Sequence, residues 1–213
     1  MDDRLIRVNG QGNISVPPDT IQVDMVLITV KPTYEEAIKA AGMALEQLRN
    51  CLKEVGFEKE DMKTADFRVN TKYETVKDMN DNYKRVFVGY EVTNHLKIEF
   101  EQNSIKLGRV LNALSNCDAT PEFSIRYMLK DDTEVNDILL RYAINDAKEK
   151  AKVMAEAAGV RLGKVINIDY SGSEFPLYKN SGMFVMADSS KIDLEPANLE
   201  LKATVTVVWR IES

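Results

Sequence analysis

Apolar and polar positions follow two rhythms along this chain. From Arg4 to Val16 and from Thr20 to Val30 they change places about every residue, which is the period of a strand. In the second stretch Ile21, Val23, Met25, Leu27 and Thr29 fall on one side and Gln22, Asp24, Val26 and Ile28 on the other, so both faces are partly covered. Pro17-Pro18-Asp19 separates the two strands with a turn or an extended corner. From Thr33 to Val55 the period lengthens. Tyr34, Ala37, Ile38, Ala41, Leu45, Leu48, Leu52 and Val55 recur at helical spacing, Thr33 and Glu36 form a capping box, and Gly56 stops the helix.

The same reading continues to the end of the chain. Met62 to Val76 and Arg85 to Phe100 are predicted strands joined by the polar connection "KDMNDNYK". In the later one Val88, Tyr90, Val92, Asn94, Leu96, Ile98 and Phe100 are expected on one face, and Glu91, Thr93, His95, Lys97 and Glu99 on the other. Ser104 to Asn116 reads as a helix and Glu122 to Leu129 as a strand. Asp131 and Asp132 lead into a long helix that ends near Ala158-Gly159. Its buried face is expected from Val135, Ile138, Leu139, Tyr142, Ala143, Ala147, Ala151, Met154, Ala155 and Ala158. Gly163 to Tyr170 is a strand, Ser171 to Asn198 an irregular connection, and Leu199 to Ile211 the last strand. The order β-β-α-β-β-α-β-α-β-β predicts an α+β fold, with helices packed on largely antiparallel sheet. The length fits one domain over residues 1–213, with a division into two lobes at about 1–102 and 103–213.

Candidate chemistry is sparse. Gly10-Gln11-Gly12 hints at a dinucleotide loop, but Ser15 stands where the third glycine belongs and the segment runs on as strand into the proline pair. No helix N-terminus follows to hold a phosphate, so the two glycines mark a bulge or a close backbone approach. The formal charge of −6 argues against a nucleic-acid partner, and no apolar run is long enough to span a bilayer. No secretory signal is visible in "MDDRLIRV". That predicts a cytoplasmic protein, or a periplasmic or secreted one from which a signal has been removed. Cys51 and Cys117 share no CxxC spacing and read as reduced thiols, a disulfide being the less favoured alternative. The single histidine excludes a multi-histidine metal site within one chain.

His95 lacks a visible partner for acid–base work and reads as a surface or interface residue. Asp131-Asp132 reads as a helix cap rather than a metal-binding pair, and Cys117 as an unreactive thiol. No catalytic, cofactor-binding or metal-binding residue is expected. The suggestive stretch is the long connection before the last strand. It carries Phe175, Leu177, Tyr178, Met183, Phe184, Val185 and Met186, which would either cover the protein's own sheet or form a subunit contact.

Nearly the whole chain resembles the SIMPL-domain family, named for a signalling molecule that associates with a Pelle-like kinase and including bacterial periplasmic immunogenic proteins. The resemblance rests on "VNGQGNISVPPDTIQV", "DMKTADFRVNTKY", "GYEVTNHLKIEF", "AINDAKEKAKVMAEAAGVRLGKVINI" and "LKATVTVVW". Many members have a Pro-Gly pair before the last strand, whereas this chain has Pro196-Ala197. The resemblance implies no established catalytic machinery; it implies oligomeric assembly, a link to stress responses, or an adaptor role. The expectation is therefore a non-enzymatic protein that forms a homo-oligomer or binds a protein partner. The competing expectation is a small-ligand binder, or an enzyme with a pocket between lobes.

Overall fold

Two antiparallel sheets organise the chain, and each belongs to its own compact unit. The structure, a computed structural model, describes residues 4–77, 83–174 and 196–212. Among them are strands β1 (Leu5–Val16), β2 (Thr20–Lys31), β3 (Lys63–Lys77), β4 (Tyr83–Glu101), β5 (Glu122–Met128), β6 (Arg161–Glu174) and β7 (Leu199–Glu212). The helices are α1 (Tyr34–Lys53), α2 (Ser104–Ser115) and α3 (Thr133–Ala157). The element order and the α+β class agree with the sequence pattern.

One unit joins the two ends of the chain. Its sheet runs β1-β7-β6, and β1 pairs with β7 without a break from Leu5↔Arg210 to Val16↔Leu199. Helix α3 lies on β1 and β7. Its buried residues Leu139, Ala143, Ala147, Ala151 and Ala155 recur every four positions. Side chains four apart form a ridge along a helix, and a ridge of methyl groups lets the backbone come close to the sheet. Gly10 and Gly12 meet that ridge. A Cβ on Gly10 would lie 2.0 Å from the Ala143 carbonyl oxygen, and one on Gly12 would lie 2.2 Å from that of Leu139. Close approach, rather than a bulge, is therefore their role, because the β1–β7 register has no shift there.

Two expectations for this unit need correcting. Tyr142 and Met154, assigned to the buried face of α3, are about half exposed, since the four-residue ridge is narrower than a general apolar stripe. Residues 171–174, read as irregular, continue β6, where Ser173 pairs with Ala203 and Glu174 with Lys202.

The other unit is built on Asp19–Met128, with strand order β3-β4-β2-β5. Ile21, Val23, Met25 and Leu27 of β2 and Leu96, Ile98 and Phe100 of β4 are buried with Leu48 and Leu52 of α1 and Leu107, Val110, Leu111 and Leu114 of α2. Local signals set the helix starts. The Thr33 hydroxyl accepts from the Glu36 N–H at 3.3 Å and donates to the Glu36 carboxylate at 2.9 Å. Asn103 accepts from the Lys106 N–H at 2.9 Å in front of α2.

The expectation of reduced thiols is overturned in this unit. Cys51, near the end of α1, and Cys117, just past α2, form a disulfide with Cα atoms 6.0 Å apart, within the usual range. The packing of α1 beside α2 brings these positions together, and their separation of 66 residues carries no trace of it. The face assigned to Val88 is also corrected. A register shift between Lys72↔Gly89 and Tyr73↔Phe87 inserts Val88 as an extra residue, so Phe87 takes the face of Tyr90. Gly89 holds φ at 144° there, and a Cβ on it would lie 2.2 Å from the Lys31 carbonyl oxygen.

Candidate functional site

Strand β2 ends opposite Tyr90, yet β3 and β4 continue past it. The pairs Tyr73↔Phe87, Glu74↔Val86, Thr75↔Arg85, Val76↔Lys84 and Lys77↔Tyr83 form a two-stranded arm with no third strand beside it among the described residues. At ~3.4 Å per residue the paired part is about 17 Å long. A two-stranded ribbon gains little from backbone pairing alone, so its side chains decide whether it holds.

On one face of the arm those side chains are aromatic. Tyr34, Tyr90, Phe87 and Tyr73 form a chain of edge-to-face contacts, with successive ring centroids 5.7, 5.6 and 5.6 Å apart. The Arg85 guanidinium lies over the Tyr73 ring at 5.0 Å, and the Lys77 ammonium over the Tyr83 ring at 5.6 Å. The Val88 bulge makes this possible by turning Phe87 onto the face that, farther along β4, meets α1. Helix α1 lies over β2 and β4 and leaves the arm uncovered. Tyr73 and Phe87 are each 46% exposed, Tyr83 is 72% exposed, and Phe67 on β3 is about half exposed. Glu74 alternates onto the opposite face, so among the described arm residues the aromatic face carries two cations and no carboxylate. Val165, Ile166, Ile168 and Tyr170 of the edge strand β6 form a second exposed apolar group.

The opposite face of the four-stranded sheet is polar. Arg126 on β5 donates to both carboxylate oxygens of Asp24 on β2 at 2.8 Å, and Gln22 donates to the same carboxylate at 2.8 Å. Lys72 pairs with Glu91, and Lys97 with Glu99. His95 is half-buried on this face, level with Val26 and Asp66, and the Asp66 carboxylate is paired with Arg68 at 2.6 Å. The structure thus brings a carboxylate level with His95 but turns it to an arginine. On the helix side Asn94 is buried and its Oδ1 has no hydrogen-bond partner among the described residues.

At the start of α3, Asp131 accepts from the Thr133 N–H at 3.0 Å, and hydrogen bonds from Thr133 hold its carboxyl below the ordinary 3.8. Asp132 stands at the N-cap position but makes no side-chain cap, so the cap reading holds for Asp131 and not for Asp132. Cys117 is in the disulfide, which removes it as a thiol. Among the described residues no three His, Cys, Asp or Glu side chains lie together to hold a metal ion. Phe175, Leu177, Tyr178, Met183, Phe184, Val185 and Met186 lie outside the described residues.

Residues 6–209 match the SIMPL family, described as a protein of unknown function (DUF541). The chain belongs to the SIMPL family. The SIMPL chain is also similar to two proteins named 26 kDa periplasmic immunogenic protein. One is from Brucella melitensis biotype 1 and the other from Brucella abortus strain S19. Each is 23% identical over 212 residues, covering 97% of this chain and 84% of the relative. No helix among the described residues of the SIMPL chain is long and apolar enough to cross a membrane.

Sequence reasoning missed the arm as a surface. Its signal was present in "YKRVFVGY": Tyr83, Arg85 and Phe87 alternate with Lys84 and Val86, and the Val88-Gly89 pair marks the bulge that returns Tyr90 to the same face.

Proposed function

We propose that this SIMPL protein acts without catalysing a reaction, by binding copies of itself or a protein partner in an oxidising compartment. The observation that carries the reading is the partly exposed aromatic face of the β3–β4 arm. Aromatic side chains dominate the energetics of protein contacts, and rings left in water on a thin ribbon have apolar area to bury. The exposed apolar side chains of β6 support the same reading. The Cys51–Cys117 disulfide supports the oxidising compartment, as does the word periplasmic in the names of the Brucella relatives. The run Met183–Met186 is a further candidate contact from its sequence alone, and Phe184→Asp tests it. Sedimentation velocity of the wild-type chain across a range of concentrations tests the self-association reading. A mass of several subunits is expected, and a monomer at every concentration overturns it.

A further inference from the structure

A strand at the rim of a sheet turns half of its backbone groups away from its neighbour, and a second chain can add to it there. Among the described residues β1 and β6 form the rims of one sheet, and β3 and β5 those of the other. Three of these are poor templates. Strand β6 breaks register with β7 three times, β3 breaks register with β4 twice, and β5 has seven residues. Strand β1 differs. It has twelve residues and pairs with β7 without a shift, so its outer edge is regular and long enough to take another strand.

That edge is already occupied. The Gln11 N–H donates to the Asp146 carboxylate of α3 at 2.7 Å, and the Lys150 ammonium lies 3.5 Å from the Asn9 carbonyl oxygen. Residues two apart in an antiparallel strand turn their N–H and C=O to the same side, so both of these groups point away from β7. Asp146 and Lys150 are also bonded to each other at 2.7 Å. We propose that this pair closes the outer edge of β1 against a strand of a second copy. The proposal is independent of the assembly reading, since it names a surface withheld from contact rather than one offered to it.

Sequence and packing put the pair in place. Asp146 precedes Ala147 and Lys150 precedes Ala151, so both flank the buried alanine ridge of α3 on the same side. Gly10 lets that ridge come down onto β1, where an added Cβ would lie 2.6 Å from the Ala147 Cβ. An aspartate side chain is short, and it reaches a backbone N–H at the rim only because the helix is this close.

The signs of the two charges fit the task. A strand adding to β1 would bring a carbonyl oxygen to Gln11 and an N–H to Asn9. The Asp146 carboxylate stands where that oxygen would go, and the Lys150 ammonium where that N–H would go. Each carries the sign of the group it excludes. Hydrogen bonds from Lys150 and Gln11 hold the Asp146 carboxyl below the ordinary 3.8, so it is ionised at neutral pH and has no proton to offer an incoming carbonyl. Charge placed over an exposed rim is one way in which sheets avoid pairing with one another. With the pair removed, the strand that matches this edge is β1 of a second copy. It is the other unbroken rim of the same length, and the two would meet antiparallel about a twofold axis.

The test compares the full wild-type chain with Asp146→Ala/Lys150→Ala by sedimentation velocity across a range of concentrations, with circular dichroism to verify folding. The double variant should self-associate about tenfold or more tightly than the wild type, whatever mass the wild type has. Adding Gln11→Pro should return the mass distribution to that of the wild type, because proline is tolerated on a rim and removes the outward N–H that an arriving strand needs. A folded double variant with the wild-type mass at every concentration overturns the proposal. Association that Gln11→Pro leaves in place arises at another surface and overturns it as well. Should the double variant fold poorly, Asp146→Ser, whose side chain is too short to hold Gln11, becomes the deciding variant: it should associate more tightly than the wild type, and an unchanged mass sinks the proposal. A monomeric wild type overturns the assembly reading alone, since the step from wild type to variant decides this one.

Discussion

Cutting the bridge between Cys51 and Cys117 should destabilise the unit that contains it without altering its fold. The bond closes a span of 66 residues. In the chain-entropy account, a loop of that length restricts the unfolded chain enough to contribute about 4 kcal/mol. Less packing is at stake beside this, because replacing both cysteines by alanine removes only two sulfur atoms, one at the buried Cys117 and one at the partly buried Cys51. For a unit the length of Asp19–Met128, unfolding entropy at ~2.1 cal/mol/K per residue converts about 4 kcal/mol into a fall in melting temperature of roughly 15–20 °C. The assay is thermal unfolding of the wild type with and without reductant, beside the Cys51→Ala/Cys117→Ala variant. Reduction and double substitution should give the same lowered transition. Because the bond acts on one unit, a second transition from the other unit should stay in place. Two titratable thiols in native protein purified without reductant would refute the bond. A shift below about 5 °C in both treatments would refute the loop-closure argument.

Four further outcomes are expected. Gly12→Ala should cost roughly 1–3 kcal/mol or more in urea unfolding, since the new methyl group meets the Leu139 carbonyl oxygen at 2.2 Å and the α3 ridge cannot withdraw cheaply; equal stability would show that the helix has room to move. Asn94→Leu should raise stability by on the order of 1 kcal/mol, because it removes a buried oxygen without a hydrogen-bond partner among the described residues; a loss in the same unfolding assay would mean that the amide is satisfied. Asp24→Ala should cost about 1–3 kcal/mol, since it strips the half-buried Arg126 guanidinium and the Gln22 amide of their shared acceptor; a neutral result in chemical unfolding would show that water replaces it. Hydrogen bonds from the Lys150 side chain and the Gln11 N–H hold the Asp146 carboxyl below the ordinary 3.8. A depressed carboxylate contributes stability above its unfolded value and loses it as the pH falls through the folded one, so Asp146→Asn should flatten the acid loss of stability below about pH 4.

Helices and strands were legible in the sequence because their signals are local. Thr33 with Glu36, the four-residue recurrence of alanines and the alternation through β2 each report on their own neighbourhood. What escaped was set by elements remote in the chain. The pairing of Cys51 with Cys117 depends on α1 and α2 lying together, and no spacing rule encodes that. The proline pair and the missing third glycine were enough to reject a phosphate loop at Gly10 and Gly12, but only the arrival of α3 explains why both positions lack a side chain. The arm failed for a different reason. One extra residue at Val88 reverses every assignment beyond it, so a regular alternation carried through the bulge placed Val88 where Phe87 belongs.

The β1–β7 ladder also constrains the order in which the chain can acquire structure. Leu5 pairs with Arg210, so the first strand has no native neighbour in its sheet until nearly the whole chain has been synthesised. The four-stranded sheet, with its core and its cross-link, lies within Asp19–Met128 and is synthesised much earlier. Non-local pairing is slow because the chain must be closed over a long span before any bond rewards it. A nascent chain that ends before β7 therefore holds the four-stranded sheet with β1 trailing as an unpaired strand of alternating residues. Loss of the fourteen residues Leu199–Glu212 removes the central strand of the three-stranded sheet and leaves β1 and β6 with no partner strand among the described residues.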